Sequence, residues 1–361
     1  MLDKKRLLID LFVKPETVNE ITLSDWDLLI RQARQAGVLA RLAIFLDELN
    51  LLNTVYEQPR NHLISSQIYS QQFSRSLEWE VLCIKKALDK KDIPLILLKG
   101  AAYMENNLNV AKGRLFSDVD ILVEKTKLTK VEVLLVTEGW MPTIFNEYDQ
   151  NYYRQWMHEI PPLKHTQRNT TIDVHHNIIP ITTKYSPDSD LLLSNIIKIK
   201  DKDIWVLNYE SQVIHSAVHL FHEGEFKNGF RDLLDLHLLI VDFSKQKDFW
   251  KKLVIRSREL EQQIPLLLAL RYSSLFFKTP IPDTVFHAVK QEAKVGFFKI
   301  RYLDFLFKRA LMPDHSSCND GWTGFARWLL YIRSHFLRMP LYLLIPHLFR
   351  KGWVGYFGKK S

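Results

Sequence analysis

The sequence predicts an α+β fold in which a small mixed-sheet core is flanked by N-terminal helices and a C-terminal helical region. Three patterns along the chain predict this fold. An amphipathic stripe covers residues 61–90, short apolar runs interrupted by acidic residues lie between 92 and 175, and helical periodicity returns after Pro180. The side-chain period therefore changes from that of a helix to that of strands and back again.

The length of the chain, 361 residues, exceeds what one ordinary hydrophobic core organises. We expect an N-terminal helical region over 1–90, an α/β core over 91–208, and a C-terminal helical domain over 209–361 that ends in a basic aromatic tail. No internal repeat or low-complexity tract interrupts this arrangement.

The composition indicates a globular protein in a reducing compartment. Hydrophobic residues make up 47% of the chain and charged residues 25%, which is an ordinary globular mixture. The two cysteines, Cys83 and Cys318, lie far apart and outside any CxxC pattern, so they provide no disulfide framework and no cysteine-rich zinc site. The first residues carry acid and lysine too early for a signal peptide, and we expect no membrane span and a cytoplasmic location.

The N-terminal region reads as helical, and its clearest element is one long amphipathic helix over 61–90. Apolar residues recur along it at spacings of three to five, which predicts one buried stripe. Those residues are Ile64, Ile68, Phe73, Leu77, Val81, Ile84 and Leu88.

Three strands are predicted in the core. A continuous apolar run over 93–98 is typical of a buried strand and stops at Lys99-Gly100. A second run over 119–123 follows Ser117-Asp118, and a third strand covers 170–175. Between the last two strands, residues 125–139 predict a helix that Gly139 ends.

The C-terminal half is predicted to be helical apart from one short strand at 204–207. Residues 279–282 and 313–324, which contain proline and glycine, are the predicted connectors. The predicted helices cover residues 189–198, 209–222, 228–243, 247–277, 284–310 and 325–345.

Three acidic residues on the predicted strands carry the functional prediction. Asp118 and Asp120 are two residues apart and therefore leave the same face of a strand. Two unpaired carboxylates on one face repel each other unless a cation neutralises them, and Mg²⁺ prefers such oxygen ligands. Asp173 interrupts the third strand in the same way. If that strand lies beside the first acidic strand, the three carboxylates converge and can hold two metal ions.

The order of these motifs resembles the polymerase-β-like nucleotidyltransferase superfamily. The amino-acid sequences of the motifs are most similar to those of the bacterial branch described as uncharacterised nucleotidyltransferases. The resemblance rests on LLKGAA at 97–102, GRLFSDVDILV at 113–123, IDVH at 172–175, HSAVH at 215–219 and RDLLDL at 231–236. It covers roughly residues 90–245.

The resemblance implies an enzyme that moves a nucleoside monophosphate from a nucleoside triphosphate (NTP) to an acceptor hydroxyl and releases pyrophosphate. It implies Mg²⁺ or Mn²⁺ as cofactor. The catalytic and metal-binding residues it implies are Asp118, Asp120 and Asp173. The residues it implies for nucleotide binding are Lys99, Gly100, Arg114 and Ser117.

The turn in this sequence departs from the pattern of the superfamily. It reads Gly100-Ala101, where the superfamily usually has Gly-Gly or Gly-Ser, and Lys99 and Arg114 are the cations that would supply phosphate contacts in its place. An alternative function is therefore a catalytically inactive nucleotide-binding or interaction protein of the same fold. Replacing Asp118 or Asp120 by alanine is expected to lower the rate of transfer by orders of magnitude with little loss of folding stability.

Histidines and one ion-pair spacing in the helical half are each open to more than one interpretation. His215 and His219 share a helix face, so they are buried and hydrogen-bonded, line the acceptor pocket, or bind zinc together with Glu223. Arg231 and Asp235 have the same spacing, which predicts either a lock between helices or a contact with the nucleotide. In the core, His175 shares a strand face with Asp173, so it either contacts the site or is an ordinary residue of the strand, whereas His176 faces away.

The C-terminal tail carries most of the net charge. From Gly321 onward there are seven basic residues and no acidic residue, against a net charge of +8 for the whole chain. Its interspersed aromatic residues predict either a helix that packs its aromatic side on the body and solvates its arginines, which we favour, or contact with a polyanion or an anionic membrane surface. No motif that reads RNA or DNA is recognisable.

Overall fold

The computed structural model describes residues 3–340 and 342–344, and the described chain begins with four helices. The long predicted helix is confirmed, and it begins earlier than predicted. Its second half buries Leu77, Val81, Ile84 and Leu88, whereas Ile68 near its middle is half exposed. The helices are α1 (Leu7–Val13), α2 (Leu23–Gln35), α3 (Leu39–Glu48) and α4 (Glu57–Asp89).

A seven-stranded mixed sheet forms the centre of the molecule, which confirms the predicted α+β fold. Its strand order is β3-β4-β5-β2-β1-β7-β6. The β2–β5 and β1–β7 pairs are parallel, and the other four pairs are antiparallel. The strands are β1 (Ile96–Leu97), β2 (Asp118–Leu122), β3 (Trp140–Pro142), β4 (Leu163–His165), β5 (Thr171–His175), β6 (Ile196–Lys198) and β7 (Trp205–Leu207).

The four strands predicted from the sequence are present, and three others are not visible in the sequence pattern. The missed strands, β3, β4 and β6, have three residues each, which is too short for an alternation to show. The predicted helix over 189–198 is wrong in its second half, because α8 (Ser189–Leu193) ends before β6 begins. β6 pairs with β7 at the edge of the sheet, and this pairing outweighs the local periodicity.

Three further helices surround the strands. α5 (Lys99–Glu105) follows β1 directly, and α6 (Leu128–Thr137) confirms the helix predicted after the second strand. Gly139 follows α6 at a φ of 101°, a backbone conformation that glycine adopts without strain. α7 (Glu147–Trp156) was not predicted, and it precedes a segment that contributes to the site described below.

The C-terminal half is helical, with more breaks than predicted. The predicted helices 247–277 and 284–310 are each divided by a residue in the left-handed region, Glu261 at a φ of 56° and Lys294 at 49°. Neither residue is a glycine, and the apolar pattern continues across both breaks. The sequence pattern therefore did not mark these two helix ends. The helices are α9 (Tyr209–His222), α10 (Gly229–Phe243), α11 (Phe249–Glu259), α12 (Gln263–Phe277), α13 (Asp283–Ala293), α14 (Phe297–Ala310) and α15 (Thr323–Arg338).

The packing favoured for the last helix is wrong. On α15 the large aromatic side chains Trp328, Tyr331 and Phe336 are each about half exposed. The arginines turn inward instead: Arg333 donates to the carbonyl of Phe221 at 2.7 Å, and Arg338 pairs with a glutamate after α9. One carbonyl and one carboxylate thus anchor this helix through its arginines, and these aromatic side chains are left at the surface.

The rest of the predicted tail, from residue 345 onward, lies outside the described residues. Within the described part of the chain, none of the helices combines the length and the apolar character that crossing a bilayer requires.

Candidate active site

The pairing of β2 with β5 brings the predicted carboxylates together. The two strands are parallel, and Asp120 lies directly opposite Asp173, with Asp118 opposite Thr171. Residues two apart on a strand share a face, so all three carboxylates lie on one face of the sheet. The condition on which the sequence prediction depended, that these strands are neighbours, is met.

Asp120 is the buried centre of the site, with a side chain only 5% exposed. One of its oxygens, Oδ1, lies 2.8 Å from Lys99 Nζ and 2.8 Å from His175 Nε2. Burial alone would raise the pKa of this carboxyl, but the Lys99 charge and the His175 hydrogen bond hold the pKa well below its usual value. Asp120 is therefore ionised and paired, which the sequence pattern did not indicate.

Asp173 has the opposite electrostatic environment. Its Oδ1 is buried and has no hydrogen-bond partner among the described residues. Burial, followed by the charges of Asp120, Glu159 and Asp118, raises the pKa of Asp173 to about 8. A buried carboxyl of this kind carries a proton at neutral pH unless a cation takes its place.

These oxygens fit a hard divalent cation. Ligand atoms of Asp120, Asp173 and His175 lie within 4.8 Å of one another, and Mg²⁺ is usually held by one or two carboxylates together with substrate phosphates. The partnerless oxygen of Asp173 is the donor that such an ion would satisfy. Asp118 lies on the same face and is half-buried, and its Oδ1 accepts a hydrogen bond from Ser117 Oγ at 3.0 Å.

Gly100 is explained by packing. A Cβ at this position would clash with the ring of Phe116, so the close approach of that ring requires glycine. The preceding residue, Lys99, has a φ of 43°, in the left-handed region that non-glycine residues seldom adopt. This unusual backbone conformation begins α5 and accompanies the Lys99 contact with Asp120.

Arg114 lies beside the carboxylate cluster and is engaged by other partners. Its Nε donates to Asp235 Oδ2 at 2.6 Å, and its guanidinium lies 4.9 Å from the centre of the Phe116 ring. The other oxygen of Asp235 accepts from Arg41 Nη1 at 2.6 Å. These contacts account for Arg114 as a structural residue, and a phosphate contact for it stays a prediction.

The Asp235 contacts join three regions of the chain. Arg41 belongs to α3, Arg114 precedes β2, and Asp235 belongs to α10. Arg231, predicted as the partner of Asp235, instead pairs with Asp232 through Nη2 at 2.9 Å. Of the two interpretations of the Arg231–Asp235 spacing, the structure favours the lock between helices, although with different partners.

Two site residues were missed in the sequence, and the structure decides between the two interpretations of a third. His175 contacts Asp120, so it belongs to the site. His158 and Glu159 were not identified: the rings of His158 and His175 are 5.2 Å apart, and Glu159 Oε2 lies 3.3 Å from His175 Nδ1. They come from an irregular segment after α7, so no periodic signal marks them.

The histidines of α9 lie near the carboxylates without forming a zinc site. His215 is buried and His219 half-buried, and burial holds the pKa of both well below its usual value, with the nearby Lys99 charge acting in the same direction. Glu223, the third ligand of the zinc interpretation, pairs with Arg338 at 2.8 Å. Within residues 3–340 and 342–344, the clusters of close metal-ligating atoms do not include these three residues.

A comparison with known proteins identifies the family of the chain. A sequence model of the family described as uncharacterised nucleotidyltransferase matches residues 22–278. This range begins at Thr22, the N-cap of α2, ends at Lys278, the C-cap of α12, and includes every residue of the carboxylate cluster. No curated protein and no solved structure matches the chain. Because the match spans more than half of the 361 residues, the chain belongs to the uncharacterised nucleotidyltransferase family.

Proposed function

We propose that the protein transfers a nucleoside monophosphate from an NTP to an acceptor hydroxyl and releases pyrophosphate. The observation that carries the proposal is the alignment of Asp120 with Asp173 on parallel strands, with Asp118 on the same face. This arrangement supplies convergent oxygen donors, one of which is buried without a partner.

We assign Mg²⁺ or Mn²⁺ to these carboxylates. Asp118 and Asp120 would hold one ion, and Asp173 would help to hold a second. When bound, the ions neutralise the triphosphate and the charge that develops during transfer.

Phosphate binding and proton acceptance are assigned in the proposal to Lys99, Ser117 and Asp173. Lys99 neutralises Asp120 in the absence of a divalent cation, and it is free to bind a phosphate oxygen once that cation replaces it. Ser117, exposed beside Asp118, donates to the triphosphate. Asp173 in its ionised form accepts the proton of the acceptor hydroxyl, whose oxygen bonds to the α-phosphorus while the bond to the pyrophosphate oxygen breaks.

One observation favours a second candidate, an inactive nucleotide-binding or interaction protein. The ammonium of Lys99 is already within hydrogen-bond distance of Asp120, so this chain carries an internal cation at a position where the catalytic function requires a metal ion. In that case nucleotides would bind without turnover.

Addition of an NTP with Mg²⁺ is expected to raise the thermal stability of the wild-type protein. A ligand at 100 times its dissociation constant stabilises the folded state by about 2.7 kcal/mol. The measurement is a thermal shift with each of the four NTPs, with and without Mg²⁺. Asp118→Asn, which keeps the shape of the side chain and removes its charge, should show no Mg²⁺-dependent shift.

The outcome also separates the two candidate functions. Stabilisation with consumption of the NTP supports transfer, whereas stabilisation with the NTP left intact supports the inactive candidate. If no NTP shifts the melting temperature of the wild type, nucleotide binding by this site is rejected.

The raised pKa of Asp173 predicts how stability depends on pH in the absence of divalent cations. The native carboxyl keeps its proton up to about pH 8, whereas the unfolded carboxyl loses it near 3.8. Between these values the native state binds more protons, so stability falls as the pH rises. Asp173→Asn removes this contribution and should be more stable than wild type at pH 8, by about 1 to 3 kcal/mol.

Urea unfolding in a chelating buffer at pH 5, 6.5 and 8 tests this expectation. The difference between variant and wild type should grow with pH, and Mg²⁺ should reduce it by favouring the ionised wild-type carboxyl. A difference that stays constant over this range would mean that Asp173 ionises normally in the native state.

A further inference from the structure

We propose that His158, Glu159 and His175 form a second metal site, which takes a zinc-class transition-metal ion and shares only the His175 ring with the carboxylate site for Mg²⁺. Each residue offers one ligand atom, and these atoms lie within 4.8 Å of one another. Around a tetrahedral zinc ion with such ligands the donor atoms are about 3.4 Å apart. The three side chains therefore need only small movements to close around an ion.

The backbone holds these residues in place. Glu159 and His175 form an antiparallel bridge at the end of β5. The amide of Ile160 donates to the carbonyl of Val174 at 3.0 Å, and the amide of His176 donates to the carbonyl of His158 at 2.8 Å. The segment that carries two of the ligands is thus fixed to the strand that carries the third.

Both imidazoles have a nitrogen that lacks a partner. Nδ1 of His158 and Nδ1 of His175 are buried, and neither has a hydrogen-bond partner with acceptable geometry among the described residues. The contact of Glu159 with His175 Nδ1, at 3.3 Å, satisfies the distance of an ion pair only. Buried polar atoms in folded proteins almost always have a partner. The three side chains offer ligand atoms within 4.8 Å of one another, so an ion bound among them would supply a partner for these nitrogens.

The opposite nitrogen of the His175 ring faces the carboxylate site. His175 Nε2 lies 2.8 Å from Asp120 Oδ1. If this nitrogen carries the proton, Nδ1 is left as the donor, as in the carboxylate–histidine–zinc arrangement.

The ligands of this second site favour a different class of ion from the one that the carboxylate cluster favours. Two nitrogens and one carboxylate oxygen are typical of zinc sites with an open fourth position, whereas Mg²⁺ prefers oxygen ligands alone. An ion on His175 Nδ1 would fix the ring that contacts Asp120, so the residue at the centre of the carboxylate site would be oriented by the second ion. The ion is a positioning element, and its presence does not depend on nucleotidyl transfer.

Cobalt binding to the full-length chain without a polyhistidine tag tests the proposal. The protein is stripped with a chelator, returned to buffer with excess Mg²⁺ to fill the carboxylates, and titrated with Co²⁺. We expect one equivalent to bind with the visible absorption of nitrogen-ligated cobalt, and Zn²⁺ to displace it. His158→Gln and Glu159→Gln should each weaken binding by more than about a hundredfold, since loss of a partner outside the coordination sphere alone costs 10- to 100-fold.

Two control variants separate this site from the others. His287→Gln, which changes an exposed histidine far along the chain on α13, should leave Co²⁺ binding unchanged. Asp118→Asn should also retain it while losing Mg²⁺-dependent nucleotide binding.

The proposal is overturned if Co²⁺ fails to bind, or if His158→Gln and Glu159→Gln bind it as the wild type does. It is equally overturned if excess Mg²⁺ or Asp118→Asn abolishes the cobalt absorption, because the ion would then occupy the carboxylates. Loss of nucleotide binding with intact cobalt binding would count against the proposed function alone.

Discussion

Replacement of Asp118 by asparagine is expected to lower the rate of nucleotidyl transfer by about a thousandfold or more, because it removes a charged ligand of the metal ion that neutralises the transition state. Folding should be little affected. Asp118 is half-buried, and its hydrogen bond comes from the exposed Ser117. An amide oxygen can accept that hydrogen bond as the carboxylate does.

The measurement is transfer of a radiolabelled α-phosphate from each NTP in the presence of Mg²⁺, with a cell extract as the source of acceptors. Ser117→Ala removes this hydrogen bond together with the phosphate contact proposed for Ser117, and it should still reduce transfer far less than Asp118→Asn. A rate within tenfold of wild type for Asp118→Asn would contradict the assignment of this carboxylate to the metal ion.

Replacement of Asp120 is a less specific test of metal binding, because it is also expected to affect folding. Its carboxylate is the partner of both Lys99 and His175, so its removal leaves a buried ammonium unpaired. Breaking a buried pair from one side typically costs about 3–5 kcal/mol. Loss of activity in Asp120→Asn would therefore combine loss of a metal ligand with loss of folding, contrary to the expectation that the two acidic residues of the motif are equivalent.

The carboxylate site was predictable because its parts lie on regular strands. Asp118, Asp120 and Asp173 interrupt apolar strands with a period of two, and that period determines which face each side chain leaves. The parallel pairing of β2 with β5 did not follow from the pattern, and the sequence analysis left the adjacency of these strands as a condition. The metal and nucleotide assignments of these residues remain predictions.

The surroundings of the site were less predictable because they depend on contacts distant in sequence. The residues around Glu159 in the sequence give no reason to expect more than a solvated acid. In the structure, an isolated backbone bridge places Glu159 beside His175. Nothing in the local sequence of α3 indicates a partner for Arg41, although Arg41 donates a hydrogen bond to Asp235, which lies 194 positions later in the chain. Such pairs are selected by tertiary packing, which overrides local propensity.

The same reason explains the error at the C-terminus. A helix that carries both aromatic residues and arginines can turn either kind toward the body, and hydrophobicity alone favours burying the aromatic ones. In the structure, the carbonyl of Phe221 and the carboxylate of Glu223 accept hydrogen bonds from Arg333 and Arg338, which are half-buried. Arginines that leave water need such partners, and only the assembled fold shows where they are.

Replacement of Asp235 by alanine is expected to lower the free energy of unfolding by about 3–5 kcal/mol, because it leaves two buried guanidinium groups without their shared carboxylate. The side chains of Arg41 and Asp235 are 5% and 2% exposed, and that of Arg114 is 12% exposed. Burial lowers the pKa of Arg41 despite the opposing effect of Asp235, so this charge depends strongly on its partner.

Urea unfolding at neutral pH measures the loss, and Asp27→Ala on α2 provides the control. Asp27 pairs with Arg31, both side chains are more than half exposed, and loss of such a surface pair costs at most about 1 kcal/mol. Adding Arg41→Met to Asp235→Ala should recover part of the loss, because one of the two stranded charges is then removed. If Asp235→Ala is no more destabilising than Asp27→Ala, the arginines find other partners or water, and the lock between α3, α10 and the sheet contributes little to stability.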